Sequence, residues 1–206
     1  MTEKVSFSRV QIQGAFKDFK SIKEFEKLIS WINDNIDAWV DVDFPIIVRT
    51  VAAGIPSLAA INGNITMPQW QVNDYNVCES QELIHAWKEG SEVFWHLHLT
   101  TNGLDATNRY VRFEVEYGYS DVNGVWVFPV TLTTADLLIP ANTPSKTMMI
   151  VPLGSFTPPV KIGGHVVARL RRIASVGAAP TSNPWIPMLQ LHVQVNTMGS
   201  RTIGAK

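Results

Sequence analysis

Residues 110–119 read "YVRFEVEYGY". Val111, Phe113, Val115 and Tyr117 alternate with Arg112, Glu114 and Glu116. A period of two, with charge at every other position, predicts an antiparallel strand with one face buried and the other in water. The next residues, "SDVNG", carry Asn123-Gly124, a dipeptide that tolerates the positive φ of tight hairpin turns. "GVWVFPVTLT" follows at 124–133 as the returning strand. The alternation recurs in "PMLQLHVQVN", 187–196, where Leu189, Leu191, Val193 and Val195 oppose Gln190, His192, Gln194 and Asn196. Further strands are expected in "WVDVDFPIIVRT", "NITMPQWQV", "KTMMIVPLG" and "GHVVARLRRIA". Pro and Gly gather between them in "NGLDATN", "IPANTPS", "GSFTPPVKIGG" and "SVGAAPTSNPWIP", where turns need fixed or positive φ. Many short strands joined by long loops predict an all-β fold, a jelly-roll-like antiparallel β-sandwich with an N-terminal helix and strand arm.

The arm carries one helical signal. In "SIKEFEKLISWINDNID", Ser21 and Glu24 form a capping box, and Ile22, Phe25, Leu28, Ile29, Ile32 and Ile36 recur at helical spacing. The expected organisation is an arm over 1–60, with one amphipathic helix at about 21–36, and a sandwich domain over 61–206.

With 206 residues the chain has the length of one domain, or one domain with an appendage. Charged residues make up only 17%, below the usual quarter, which suits a surface partly covered by partner subunits. The net charge of −1 is spread along the chain, so no nucleic-acid or membrane patch is expected. Arg169, Arg171 and Arg172 form the one local basic cluster and read as a solvated or interface face of a strand. Cys78 is the sole cysteine, which excludes an intramolecular disulfide and a cysteine metal motif. The first twenty residues show no apolar signal-peptide core, and no run has the length of a transmembrane helix. Synthesis and assembly in a cytoplasm are the expectation.

"EVFWHLHLTTNG", 92–103, is the most chemically suggestive stretch, because His96 and His98 form an H-x-H pair in a strand. Cupins are jelly rolls that bind metal through such a pair, and the likeness to their motifs is partial. Gly90 lies six residues before His96, but Asn102 and Gly103 stand where a ligand Glu belongs. Pro187, His192 and Asn196 match the second cupin motif, but Leu189 replaces its Gly. Side-chain parity weighs further against a metal inside the barrel. Trp95, Leu97 and Leu99 form the more apolar face of the strand, so Phe94, His96, His98 and Thr100 should point away from the core. His192, between Gln190 and Gln194, should point outward too.

No nucleophile elbow, Walker loop, zincin helix or dinucleotide fingerprint occurs. A Cys78–His85 nucleophile pair lacks a third orienting group. Among the tryptophans, Trp31, Trp39, Trp70, Trp87, Trp95 and Trp126 default to core packing. Trp185, in the loop "SNPWIP", is the best exposed candidate for a sugar platform or a subunit contact. The expectation is a non-enzyme with no catalytic residue, no cofactor and no metal.

Several stretches together resemble a group of tailed-bacteriophage virion structural proteins: "QELIHAWKEGSEVFWHLHLTTNGLDATNRYVRFEVEYGY", "LLIPANTPSKTMMIVPLGSF", "HVVARLRRIA" and the ending "TMGSRTIG". The match runs over about residues 78–204, through a "HAWKEG…HxH" block and a "TxGSR" ending. The resemblance implies a virion component: a capsid decoration protein, a head fibre or its anchor, or a tail part. It implies other virion proteins as partners. Low charge and a β-sandwich suit a closed homo-oligomer, with a trimer as first choice by analogy with jelly-roll virion proteins. The alternative is a carbohydrate-binding, receptor-recognition module of the virion, in which exposed loop Trp and Tyr would meet a host-surface glycan; a cupin-like metalloprotein comes third. His85, Ala86, Trp87, Lys88, Glu89, Gly90, His96 and His98 occupy the block, which assigns them no chemical role. Read physically, Lys88-Glu89-Gly90 is a turn, with Gly90 at positive φ and Ile84 and Trp87 buried beside it. Interfaces are expected at loop residues of "IPANTPSKTMM" and "SVGAAPTSNPWIP".

Overall fold

The computed structural model describes residues 21–28, 38–48 and 52–195. Residues 21–28 are helical, with Ile22 buried and Leu28 exposed. The rest of the expected helix, Trp31 and the "TxGSR" ending lie outside the described residues. Twelve strands follow: β1 (Ala38–Pro45), β2 (Ser57–Asn62), β3 (Ile65–Gln69), β4 (Tyr75–Val77), β5 (Gln81–Glu82), β6 (Val93–Thr100), β7 (Arg109–Ser120), β8 (Val127–Thr133), β9 (Leu137–Ile139), β10 (Met148–Phe156), β11 (His165–Ile173) and β12 (Trp185–Val195).

They form two 6-stranded antiparallel sheets. In sheet A, β10, β6 and β12 are neighbours, and β1 and β3 share the other edge of β12. β2 extends the sheet beyond β3. In sheet B, β4 and β5 take successive lengths of one edge of β11, and β7 takes the other edge. β8 and β9 divide the far edge of β7 in the same way. The pairing is nested in sequence: β1 with β12, β4 and β5 with β11, β6 with β10, and β7 with β8 and β9. A long hairpin folded over on itself gives this nesting, which is jelly-roll connectivity. The β2–β3 hairpin is an addition to it.

The boundary expected near residue 60 falls inside sheet A. β1 pairs with β12 along its whole length, from Ala38↔Val195 to Pro45↔Met188. Residues 38–45 are therefore a structural strand of the sandwich. The pattern in "WVDVDFP" was legible as a strand, but its partner lies at the opposite end of the chain, beyond the reach of local periodicity.

Alternation places the core. Val111, Phe113, Val115 and Tyr117 of β7 face Trp95, Leu97 and Leu99 of β6 and Leu189, Leu191, Val193 and Val195 of β12, all buried. Trp95 is the central aromatic. Its ring centroid lies 5.0 Å from Phe44, 5.9 Å from Tyr117 and 6.2 Å from Phe156, so it joins β1, β7 and β10. Asn123 takes φ 62° in the expected β7–β8 turn, closed by Gly124 N–H donating to Asp121 O at 3.0 Å. The "HAWKEG" segment is the expected corner. Gly90 has φ 79°, Ser91 N–H donates to Lys88 O at 2.9 Å, and Trp87 is buried. Among the described residues no helix is long and apolar enough to cross a membrane.

Trp95→Ala should destabilise the domain by about 3–5 kcal/mol, the usual cost of emptying a large aromatic site. Phe94→Ala, next door but facing outward at 39% exposure, should cost a small fraction of that. Urea midpoints of the two variants check the order.

Candidate functional site

The outer face of sheet A is built by the same parity that builds the core. On β6 the inward Trp95, Leu97 and Leu99 leave Phe94, His96 and His98 outside. On β12, Gln190 and His192 point the same way. On β1, Val42 and Phe44 are buried, so Trp39, Asp41 and Asp43 join them. Register then aligns rows across the strands. Asp43, Gln190, His96 and Pro152 form one row. Asp41, His192 and Phe94 form the next.

Hydrogen bonds lock these rows. Gln190 donates from Nε2 to Asp43 Oδ1 at 2.7 Å, which leaves its Oε1 to accept from His96 Nε2 at 3.0 Å. The proton of His96 therefore sits on Nε2 in this arrangement. His192 donates from Nδ1 to Asp41 Oδ1 at 2.7 Å, since a carboxylate can only accept. His96 Nε2 also lies 3.8 Å from the same Asp41 oxygen. The Trp39 ring stacks on His192, with centroids 4.9 Å apart and planes within 6°. His98 stands beside His96 at 5.6 Å between centroids. The three histidines and Asp41 line a groove of about 450 Å³, whose apolar wall is Phe94, Ile150 and Pro152.

The histidines thus lie outside the core, as parity predicts, and the structure gathers His96 and His192 around Asp41. Asp41 is the residue that sequence reasoning missed. Its place on the outer face was legible from "WVDVDF", but its neighbour across the strand is His192, about 150 residues away in the chain.

Burial is the main cause that lowers the pKa of the His96 imidazole. His98 and His192 lower it further, while the Asp41 carboxylate and the Gln190 hydrogen bond oppose the shift. At neutral pH the ring is therefore neutral, with a lone pair to offer.

The other candidates disperse. The Cys78 thiol is buried and burial pushes its pKa up to about 12, while the half-buried His85 is taken by Glu82 at 3.1 Å. The thiol is protonated and inert at neutral pH, so the pair is no nucleophile. Arg169 pairs with Glu116 and Glu114, and Arg171 donates to Asn73 at 3.1 Å. Arg172 departs from the solvated-face expectation. One step in parity from Arg171, it turns inward, is 1% exposed, and donates to Trp70 O and Asn183 Oδ1. Burial lowers its pKa to about 10, which keeps it charged at neutral pH. Its role is to satisfy carbonyls beneath a loop.

Trp185 is likewise a correction. It is the first residue of β12, paired with Thr100 and Gln69, and is buried at 4%. A register shift between Trp185 and Met188 absorbs Pro187, which lacks a ladder donor, and so lets the strand start inside what read as a loop. Trp70 and Trp87 are buried as expected. Trp39 and Trp126 are not, at 43% and 40% exposed.

No protein-family model matches the chain, and no curated protein does. Two solved structures give the scale of the likeness found among known folds. A structure of infectious bursal disease virus, Gx strain, is 12% identical, covers 83% of this chain and 34% of its own, and has a TM-score of 0.39. The VP2 subviral particle of the same virus is 9% identical over 78% of this chain and 33% of its own, with a TM-score of 0.34. The chain spans about a third of those chains' length. The fold assignment here rests on strand order and register alone.

Because the folded-state pKa of His96 is below the ordinary 6.5, the unfolded chain binds that proton more readily. Stability from His96 is full above about pH 6.5 and is lost as pH falls toward the folded value. Urea midpoints should therefore drop between about pH 7 and pH 5. His96→Gln should flatten that drop by up to about 1.4 kcal/mol per pH unit, the limit for one proton. An unchanged slope in the variant would remove His96 as the cause.

Proposed function

We propose that this chain is a non-enzymatic structural protein of a tailed-bacteriophage virion, working through protein–protein assembly. The observation that carries the reading is the apolar hairpin between β7 and β8. Val122, Val125, Trp126, Val127 and Phe128 are 45%, 88%, 40%, 47% and 59% exposed along one short stretch. Trp126 and Phe128 stack at 5.4 Å, and the Phe128 ring lies so close over Gly118 that a Cβ there would meet it at 2.2 Å. A run of exposed apolar side chains packed in this way suits a surface that meets another protein. Met148 and Val176, at 65% and 90% exposed, add apolar area in or beside the two loops expected at interfaces. The "HAWKEG…HxH" block and the "TxGSR" ending support the phage assignment. The role is decoration of the capsid, a head fibre or its anchor, or part of the tail. Such a subunit would form a closed homo-oligomer, with a trimer as first choice by analogy with jelly-roll virion proteins.

A receptor-glycan reading moves away from the buried Trp185. The flat, exposed Trp126–Phe128 pair is the surface a sugar ring would stack on.

Light scattering on the purified chain should show an oligomer. The double change Trp126→Ser and Phe128→Ser should raise its dissociation constant by about tenfold or more, as expected of aromatic anchors at an interface. A monomer at all concentrations, together with absence from purified virions by mass spectrometry, would overturn the reading. Binding on a glycan array that the same double change abolishes, in a monomeric protein, would favour the glycan reading.

A further inference from the structure

Asp41, His96 and His192 come from three strands that are neighbours in sheet A and meet on its outer face. One carboxylate oxygen and one nitrogen of each ring lie within 4.8 Å of one another. A zinc-class ion holds such donors at about 2.0–2.2 Å, so adjacent donors around it stand about 3–3.5 Å apart. The 2.7 Å His192–Asp41 contact must open and the 3.8 Å His96–Asp41 distance must close, each by roughly half an ångström, small movements of side chains that line the groove. The geometry points to a binding site for one divalent transition-metal ion of the zinc class, held by Asp41, His96 and His192, with its remaining position open to the groove.

The donor set selects the class. Two imidazoles and one carboxylate suit zinc, nickel, copper or iron, whereas calcium and magnesium take oxygen ligands. Charge agrees: among the described residues the ion-pair partners of Asp41 are the two imidazoles, and no lysine or arginine neutralises it. The rings are also held before any ion arrives. Trp39 stacks on His192, and Gln190, itself tied to Asp43, holds His96. Each ring gives up a hydrogen bond on coordination. His192 Nδ1 exchanges the Asp41 proton contact for the metal and carries its proton on Nε2. His96 Nε2 exchanges the Gln190 carbonyl for the metal and carries its proton on Nδ1. No proton is released if both rings begin neutral. A bound ion would cross-link β1, β12 and β6, and so stabilise the sheet in proportion to the logarithm of ion concentration.

This site stands apart from the apolar hairpin, and its test does not depend on assembly. The untagged full chain, stripped with chelator, would be titrated with Co²⁺ alone, read by visible absorption, and with Zn²⁺ alone, read by thermal unfolding. The expected result is one ion per chain and a Tm that rises with Zn²⁺. Asp41→Asn and His192→Ala should each weaken binding by about tenfold or more and abolish the rise. His85→Ala and His165→Ala, on histidines bonded to Glu82 and Ser80 elsewhere, should leave both unchanged. If His192→Ala does not fold, Asp41→Asn, which keeps the side-chain shape, decides alone. Absence of saturable binding, or equal loss in the His85 or His165 variants, would overturn the site.

Discussion

Strand β12 is hydrogen-bonded on both edges, to β1 and β3 on one side and β6 on the other, and every other feature of sheet A depends on its register. Leu189, Leu191, Val193 and Val195 enter the core without exposure. Because the side-chain period is two, that burial fixes Gln190 and His192 on the opposite face. A slip of one residue would expose the four apolar side chains and bury the polar ones, so the core holds the outer face in place as firmly as it holds itself.

The groove is the by-product of that constraint. Its polar residues were not selected by a loop or a helix end but arrive as rows across three strands. Each row mixes a carboxylate from β1 with an amide or imidazole from β12 and a residue of β6. Such rows satisfy one another's hydrogen bonds, which is why Gln190 tolerates burial at 7% exposure. The cost falls on His96. Its ring is covered enough to lose hydration, and neighbouring imidazoles disfavour its charged form. A neutral, oriented imidazole beside an uncompensated carboxylate is a site chemically ready for a cation. Trp126 and Phe128, stacked on each other with the Phe128 ring over Gly118, present an apolar surface with no such polar groups.

Local pattern carried the long strands. β6, β7, β11 and β12 each have enough alternating residues for the period to stand above noise, and the outward placing of His96, His98 and His192 follows from it. β4, β5 and β9 have three residues or fewer, too short for any period, and exist because β11 and β7 offer them edges. Arg172 shows the limit of reading charge by type. Parity alone separates it from Arg169 and Arg171, and carbonyl acceptors at Trp70, 102 residues away in sequence, make its burial tolerable. Trp185 shows the limit of reading loops by proline. A bulge accommodates Pro187, so the strand begins earlier than the Pro-rich composition suggests.

The sequence by itself determined the all-β sandwich, which faces of its long strands are core, the turn at Asn123-Gly124 and the corner at Gly90, since each of these follows from spacing or from local φ preferences. Tertiary structure decided what stands next to what. β1 belongs to the sheet only because β12 offers it an edge, and Asp41 meets His192 only through that antiparallel pairing. Residues 151 apart in the chain become hydrogen-bonded partners, a relation set by the register of two strands and written in neither alone.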